Sequence, residues 1–249
     1  MITNAGEGHI PSAFSIVDLV NTLYEKFLKF DTKNPNWEDR DYFVLSKGHG
    51  CAALYAVLEK FGFLTQEQLN TKGKFESILG GHPDRTKIPG VEASTGSLGH
   101  GFPTAAGIAL GLKIKHKSNR VVALVGDGEC HEGTVWETAL VAQNLGLTNL
   151  CCIVDLNGSA DQILPHPNMR NQWESFGWDA TEIDGHNSAQ IEGALEIFFG
   201  GRNSKPLAIV AKTVKGKGVR ALETHGPWHH KIPSPSEYQM ILQELKEPK

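Results

Sequence analysis

Two short stretches, thirty positions apart at Asp127 and Asn157, each set an oxygen ligand beside glycine: Gly126-Asp127-Gly128-Glu129 and Asp155-Leu156-Asn157-Gly158-Ser159. Each follows an apolar run of strand character, Val121–Val125 and Leu150–Val154, with a helical segment between them. In an open parallel sheet the carboxyl ends of neighbouring strands line the binding crevice, and glycine there lets backbone approach a ligand closely. One carboxylate, one amide oxygen and a nearby backbone carbonyl suit Mg2+, which keeps few protein ligands and completes its shell with phosphate oxygens and water. The pair also has a plain reading: Gly-Asp-Gly after a strand is a common tight turn, and so is Asn-Gly. A dinucleotide site would need Gly-x-Gly-x-x-Gly and an acidic residue about twenty positions on, a spacing that Gly126, Gly128 and Gly133 do not supply.

The elements that must position these residues alternate. Ile16, Leu19, Val20, Leu23, Phe27 and Leu28 recur at helical spacing from Phe14 to Phe30, after the start signal Pro11-Ser12. A strand at Tyr42–Leu45 feeds Ser46-Lys47-Gly48-His49-Gly50 and a helix containing Leu54, Tyr55 and Leu58. Residues 73–101 have no periodicity; a loop so long is usually functional. A helix rich in small residues follows from Pro103 to His116. Beyond the Asp127–Asn157 unit come a strand near Trp178–Ile183, a helix near Ala189–Phe199, a strand at Leu207–Ala211 and a last helix from Ser236 to Lys246. Alternation of this kind predicts an α/β fold, a mostly parallel sheet with helices on both faces. The whole of residues 1–249 fits a single domain, with no repeat and no linker.

With 249 residues, 27 Gly and a formal charge of −4, the chain is a poor candidate for nucleic-acid binding. Its one basic concentration, Lys212–Arg220, reads first as a solvated loop. Four cysteines, Cys51, Cys130, Cys151 and Cys152, have neither zinc-type nor disulfide-framework spacing. Cys151 and Cys152 read as small core residues in a reducing compartment. The sequence shows no leader pattern and no apolar run of membrane-spanning length, so the expected location is cytoplasmic, away from membranes.

The glycine- and histidine-bearing loops carry a more specific likeness. Asn4-Ala5-Gly6-Glu7-Gly8-His9-Ile10-Pro11, Leu45-Ser46-Lys47-Gly48-His49-Gly50, Gly81-His82-Pro83-Asp84 and Pro89 to Gly99 come first. They are followed in order by Gly126-Asp127-Gly128-Glu129, Asn157, Lys212 to Gly218 and Trp228-His229. This series resembles the cofactor-diphosphate-binding half of transketolases over nearly the whole chain, as found in the amino-terminal subunit of split members. The likeness implies thiamine diphosphate and Mg2+ as cofactors and transfer of a two-carbon ketol unit from a ketose donor to an aldose acceptor. It implies a partner chain, the carboxy-terminal subunit that carries the pyrimidine-binding half and the activating glutamate, and assembly as a heterotetramer. Phosphorylated or otherwise acidic sugars are the implied substrates. It also implies a further helix ahead of the Asn4–His9 segment, so Met1 is expected to be an internal or alternative start.

By the same likeness Asp127, Asn157 and the carbonyl of Ser159 would hold the metal. His49, Gly96, Ser97, Leu98, Gly126, Asp127, Gly128, Glu129 and Asn157 would hold the cofactor. His9, His82 and His229 would meet substrate. Among eleven histidines most are expected to be ordinary surface or packing residues. Glu132 is expected at a subunit interface, or as a cap for the helix at Thr134, and Lys212 and Lys215 at phosphate or in solvent. The chain departs from the family at His100, where glutamine is usual, at Leu156 beside the ligand Asn157, and at His230, where glycine is usual. Rival readings are a deoxyxylulose-phosphate synthase-like enzyme, the α subunit of a 2-oxo acid dehydrogenase, and a non-catalytic subunit that keeps the fold. The 2-oxo acid enzymes usually show Gly-Asp-Gly-Ala and an Asn-Asn pair, unlike this chain.

Overall fold

Strands buried on both faces need apolar side chains at every position, because successive residues point to opposite sides. The computed structural model of the chain shows this in a five-stranded sheet, and describes residues 1–161, 163–166, 168–223, 228 and 231–246. The strands are β1 (Tyr42–Leu45), β2 (Val121–Gly126), β3 (Leu150–Leu156), β4 (Asp179–Asp184) and β5 (Leu207–Lys212). They lie in the order β1-β2-β3-β5-β4, and every neighbouring pair is parallel. The sheet is thus wholly parallel, with β1 and β4 at its edges.

Among the described residues ten α-helices accompany it: α1 (Ile2–Ala5), α2 (Ile10–Phe14), α3 (Val17–Lys26), α4 (Cys51–Lys60), α5 (Gln66–Asn70), α6 (Gly101–Ile114), α7 (Gly133–Asn144), α8 (Met169–Ser175), α9 (Ser188–Phe199) and α10 (Pro235–Lys246). One core joins Leu45, Leu124, Ile153 and Ile209 to Leu19 of α3, Leu58 of α4 and Phe198 of α9. The other joins Val44, Val125, Val154 and Val210 to Phe102 of α6, Val135 of α7 and Trp173 of α8. Cys151 and Cys152 fall on opposite sides of the sheet, one in each core, and all four cysteines are buried free thiols.

The single helix expected over Phe14–Phe30 keeps only Phe14 in α2 and Val17–Lys26 in α3. It breaks at Ser15-Ile16, where the Ser15 hydroxyl turns inward to Asp155, 2.9 Å away, and Ile16 N bonds the near carbonyl of Ala13. Its far end stops at Lys26. Phe30 leaves it to join the rings of Tyr24 and Phe61, at centroid distances of 5.6 and 5.8 Å. Tertiary packing overrides the periodicity there. Helices α5 and α8 are too short to register as periodic segments, although α5 carries a complete Thr65/Gln68 capping box. The aperiodic stretch after Gly73 holds no helix or strand until α6.

Helix α6 (GFPTAAGIALGLKI) is apolar on all sides, yet Gly107 and Ile114 face outward, Ile114 at 68% exposure. A helix of that composition is normally covered all round. Leu140 and Val141 of the adjacent α7 are also bare, at 57% and 53%. Among the described residues no helix is long and apolar enough to cross a membrane.

Candidate cofactor-binding site

Neighbouring strands β2 and β3 end side by side, with Gly126 opposite Asp155. Asp127 follows β2 directly and is buried, its N–H donating to the Asp155 carbonyl at 3.1 Å. Its Oδ1 accepts from Gly128 N at 2.7 Å, while its Oδ2 is buried with no partner among the described residues. Burial pushes this carboxyl above its usual range, against the pull of the Gly128 N–H. A dry carboxylate oxygen without a donor is a costly arrangement unless a cation meets it. Asn157, two residues past Asp155, donates from Nδ2 to Asp155 Oδ2 at 2.8 Å, which turns its Oδ1 toward the Ser159 amide at 3.0 Å. Gly158 makes that turn with φ +74°, and the Ser159 hydroxyl is likewise buried without a partner among the described residues. Among those residues no cluster of three or more His, Cys, Asp or Glu could hold a metal. The donors here are one carboxylate, one amide and backbone, a set that fits Mg2+ bound together with phosphate oxygens.

Below this pair lies a buried network that sequence reasoning missed. Lys47, just after β1, forms an ion pair with Asp155, and both side chains are essentially inaccessible. Lys47 Nζ also donates to Ser15 Oγ at 3.1 Å and to the Ser12 carbonyl at 3.3 Å, and Thr213 Oγ1 donates to the other Asp155 oxygen. Burial alone would raise the Asp155 carboxyl; Lys47 foremost, then Thr213 and Ser15, outweigh it and hold the group below the usual range. Asp155 therefore ties together the ends of β1, β3 and β5 and the α2–α3 break. The one signal for it is Leu45-Ser46-Lys47, where a lysine beside a histidine motif carries no mark of a separate role.

Glu129 also faces inward. Its Oε1 accepts from Ser46 Oγ at 2.5 Å and Gly99 N at 2.9 Å, and its Oε2 from Gly126 N at 3.2 Å. Thr134 Oγ1 donates to the Gly99 carbonyl at 2.8 Å and Thr95 Oγ1 to that of Leu45 at 2.7 Å. These bonds fix the 94–101 loop against β1 and β2. Gly96 sits where this loop meets two others. A Cβ on Gly48 would come within 2.8 Å of Gly96 N, and a Cβ on Gly96 within 3.1 Å of the His82 ring. His82 is exposed, its carbonyl accepting from Tyr55 OH at 2.8 Å. The rings of His9 and His49 meet edge to face at 5.3 Å. Ser97 is exposed, and His100 Nδ1 donates to the Leu98 carbonyl at 3.0 Å, bracing that turn. His229 and His230 lie outside the described residues.

Glu132, Lys212 and Lys215 sit in three different settings. Glu132 is exposed and makes no capping bond to α7. Lys212 pairs with Glu182 at 2.5 Å on the surface. Lys215 is partly buried; burial and then Lys47 lower its pKa while Asp127 and Asp155 oppose that shift. His166, unremarked in the sequence, donates from Nε2 to the Asp127 carbonyl at 3.1 Å and stacks on His131 at 4.4 Å.

The transketolase thiamine diphosphate-binding domain model matches residues 1–232. The chain belongs to the transketolase family. It is 35% identical to an apulose-4-phosphate transketolase subunit from Phocaeicola vulgatus, covering 99% of this chain and 89% of that protein. It is 38% identical to a 6-deoxy-6-sulfo-D-fructose transketolase subunit from a Clostridium strain, over 88% of this chain and 81% of the relative. The transketolase of Campylobacter jejuni superposes with a TM-score of 0.91 at 30% identity, over 98% of this chain and 40% of that one. The chain thus matches two subunit-length transketolase relatives along most of their length, and spans less than half of a full-length transketolase.

Proposed function

We propose that this chain is the amino-terminal subunit of a two-chain transketolase, moving a two-carbon ketol unit from a ketose to an aldose. The observation that carries the reading is the Asp127 Oδ2 atom, buried without a partner among the described residues at the end of β2, beside Asn157. It supports a Mg2+ held by Asp127, Asn157 and the Ser159 backbone, and through it the cofactor's diphosphate. Thiamine diphosphate, when bound, supplies the carbanion chemistry that cleaves and remakes the carbon–carbon bond. The protein's part is placement. His49 beside Gly48, and the 96–98 backbone, would line the cofactor. His9 and His82 would present imidazole donors to substrate oxygens, as His229 would from beyond the described residues. Glu129 would act from beneath, holding the 96–99 loop in place.

Residues 1–249 form one diphosphate-binding unit in this reading, with the pyrimidine-binding half on a partner chain. Support comes from the subunit names of the two relatives and from the uncovered apolar face of α6 and α7, since obligate interfaces are large and apolar. A heterotetramer with two copies of each chain follows from pairing two domain types around a two-fold axis. Buried free thiols and a sugar-metabolic role fit a cytoplasmic setting. The test is co-purification with a second chain carrying the pyrimidine-binding half, followed by a ketose-donor and aldose-acceptor screen. Activity should need both chains, thiamine diphosphate and Mg2+. Ketol transfer by this chain alone would sink the two-chain reading.

A further inference from the structure

One histidine outside the crevice joins three elements in a way the site does not explain. His186 lies in the turn between β4 and α9, where its N–H donates to Asp184 Oδ1 at 2.9 Å. Its ring Nδ1 is 2.8 Å from Asp18 Oδ2 of α3, and its Nε2 is 2.9 Å from Val214 N, just past β5. The protons can be placed from these partners. A backbone N–H only donates, so Nε2 carries none; Nδ1 faces a carboxylate and holds the single ring proton. Asp18 thereby fixes the tautomer that accepts from Val214. The His186 side chain is only 9% exposed, so the contact is not a surface accident.

Val214 stands between two residues that reach the crevice floor. Thr213 donates to Asp155, and Lys215 is partly buried within electrostatic reach of Asp127 and Asp155. Gly216 N bonds the Pro11 carbonyl at 3.0 Å, closing the loop against α2. Val214 itself is 38% exposed. Without an acceptor at His186, its amide faces water and the short segment between Thr213 and Gly216 loses its middle anchor.

We propose that His186, oriented by Asp18, is a positioning residue for the 213–216 loop and through it sets how tightly the chain grips a diphosphate. The inference rests on the diphosphate reading of the Asp127–Asn157 crevice. Two substitutions separate its halves. His186→Asn keeps an amide where Nδ1 met Asp18 but leaves nothing for Val214. His186→Gln puts an amide oxygen where Nε2 was and keeps the Val214 bond. Hydrogen exchange of the full chain should show the 213–218 amides losing protection in His186→Asn and keeping it in His186→Gln, with melting temperatures reported for both. Calorimetry with Mg2+ and inorganic pyrophosphate should show affinity falling about tenfold in His186→Asn and staying within about threefold in His186→Gln, the scale of one lost hydrogen bond. Equal behaviour of the two variants, or wild-type protection in His186→Asn, overturns the proposal. If the unsubstituted chain takes up no pyrophosphate, the crevice reading fails and the link to diphosphate goes with it. In that event the exchange pattern still shows whether His186 anchors the loop.

Discussion

Lys47 and Asp155 form an ion pair at the centre of the molecule, with side-chain exposures of 2% and 0%. Buried pairs of this kind gain little over apolar residues, but removing one partner strands the other charge in a dry site. Here the pair also orients Asn157, whose Nδ2 donates to the same carboxylate oxygen as Lys47. The end of β3 that carries Asn157 is therefore set by a lysine from the end of β1.

Replacing Lys47 by Met should cost about 3–5 kcal/mol of stability in urea unfolding, because Asp155 is left charged and buried. Adding Asp155→Leu to Lys47→Met should recover part of that loss. Additive losses in the double variant would show that the two residues act separately.

Asp127→Asn should behave in the opposite way. Its Oδ2 has no donor to lose among the described residues, so stability should stay within about 0.5 kcal/mol of the parent or rise. Mg2+-dependent retention of thiamine diphosphate by the assembled enzyme should vanish. If dialysis left the variant with a full cofactor complement, Asp127 would not be the metal ligand.

Two glycines separate a tight site from an open one. Gly48→Ala sets a Cβ 2.8 Å from the backbone N of Gly96, which cannot swing aside. The 45–50 and 94–99 segments should part, and cofactor binding should weaken at least about tenfold. Gly107→Ala meets nothing within 4 Å in α6 and should stabilise the isolated chain by about 0.5–1 kcal/mol. If α6 is covered by another subunit, the same change should loosen assembly in light scattering. Unchanged assembly would point the interface elsewhere.

The sheet was legible because parallel strands buried on both faces leave continuous apolar runs between glycine-rich turns, as at Val121–Val125 and Leu150–Val154. Asp127 and Asn157 stand out for the same reason: each comes two or three residues past such a run, beside glycine. The supporting network was not legible. Ser15, Lys47, Asp155 and Thr213 come from four distant stretches and share no spacing. Only folding reveals that they meet. The α2–α3 break had the same cause, since a serine held by a carboxylate 140 residues away leaves no local mark.

Acid should release α10 by a traceable route. Lys231, with Ser234 N at 2.9 Å, holds the Glu237 carboxyl at about 2, below its ordinary 4.5. A lowered folded pKa gives stability that is present above pH 4.5 and lost as pH falls toward 2. The stability difference between the parent and Glu237→Gln should thus be constant above pH 4.5 and shrink below it. A difference independent of pH would show that Lys231 does not favour the ionised form.

Among the described residues the order of the strands puts β4 at an edge of the sheet, and this six-residue strand carries Asp179, Glu182 and Asp184. An open edge invites strand addition from another molecule, and natural edges discourage it with charge. Two copies meeting edge to edge along β4 would set carboxylates against carboxylates. Charge along β4 thereby steers the chain away from fibre-like growth. Neutralising those three acids should leave the native fold standing and show its harm as turbidity in concentrated, unpartnered protein.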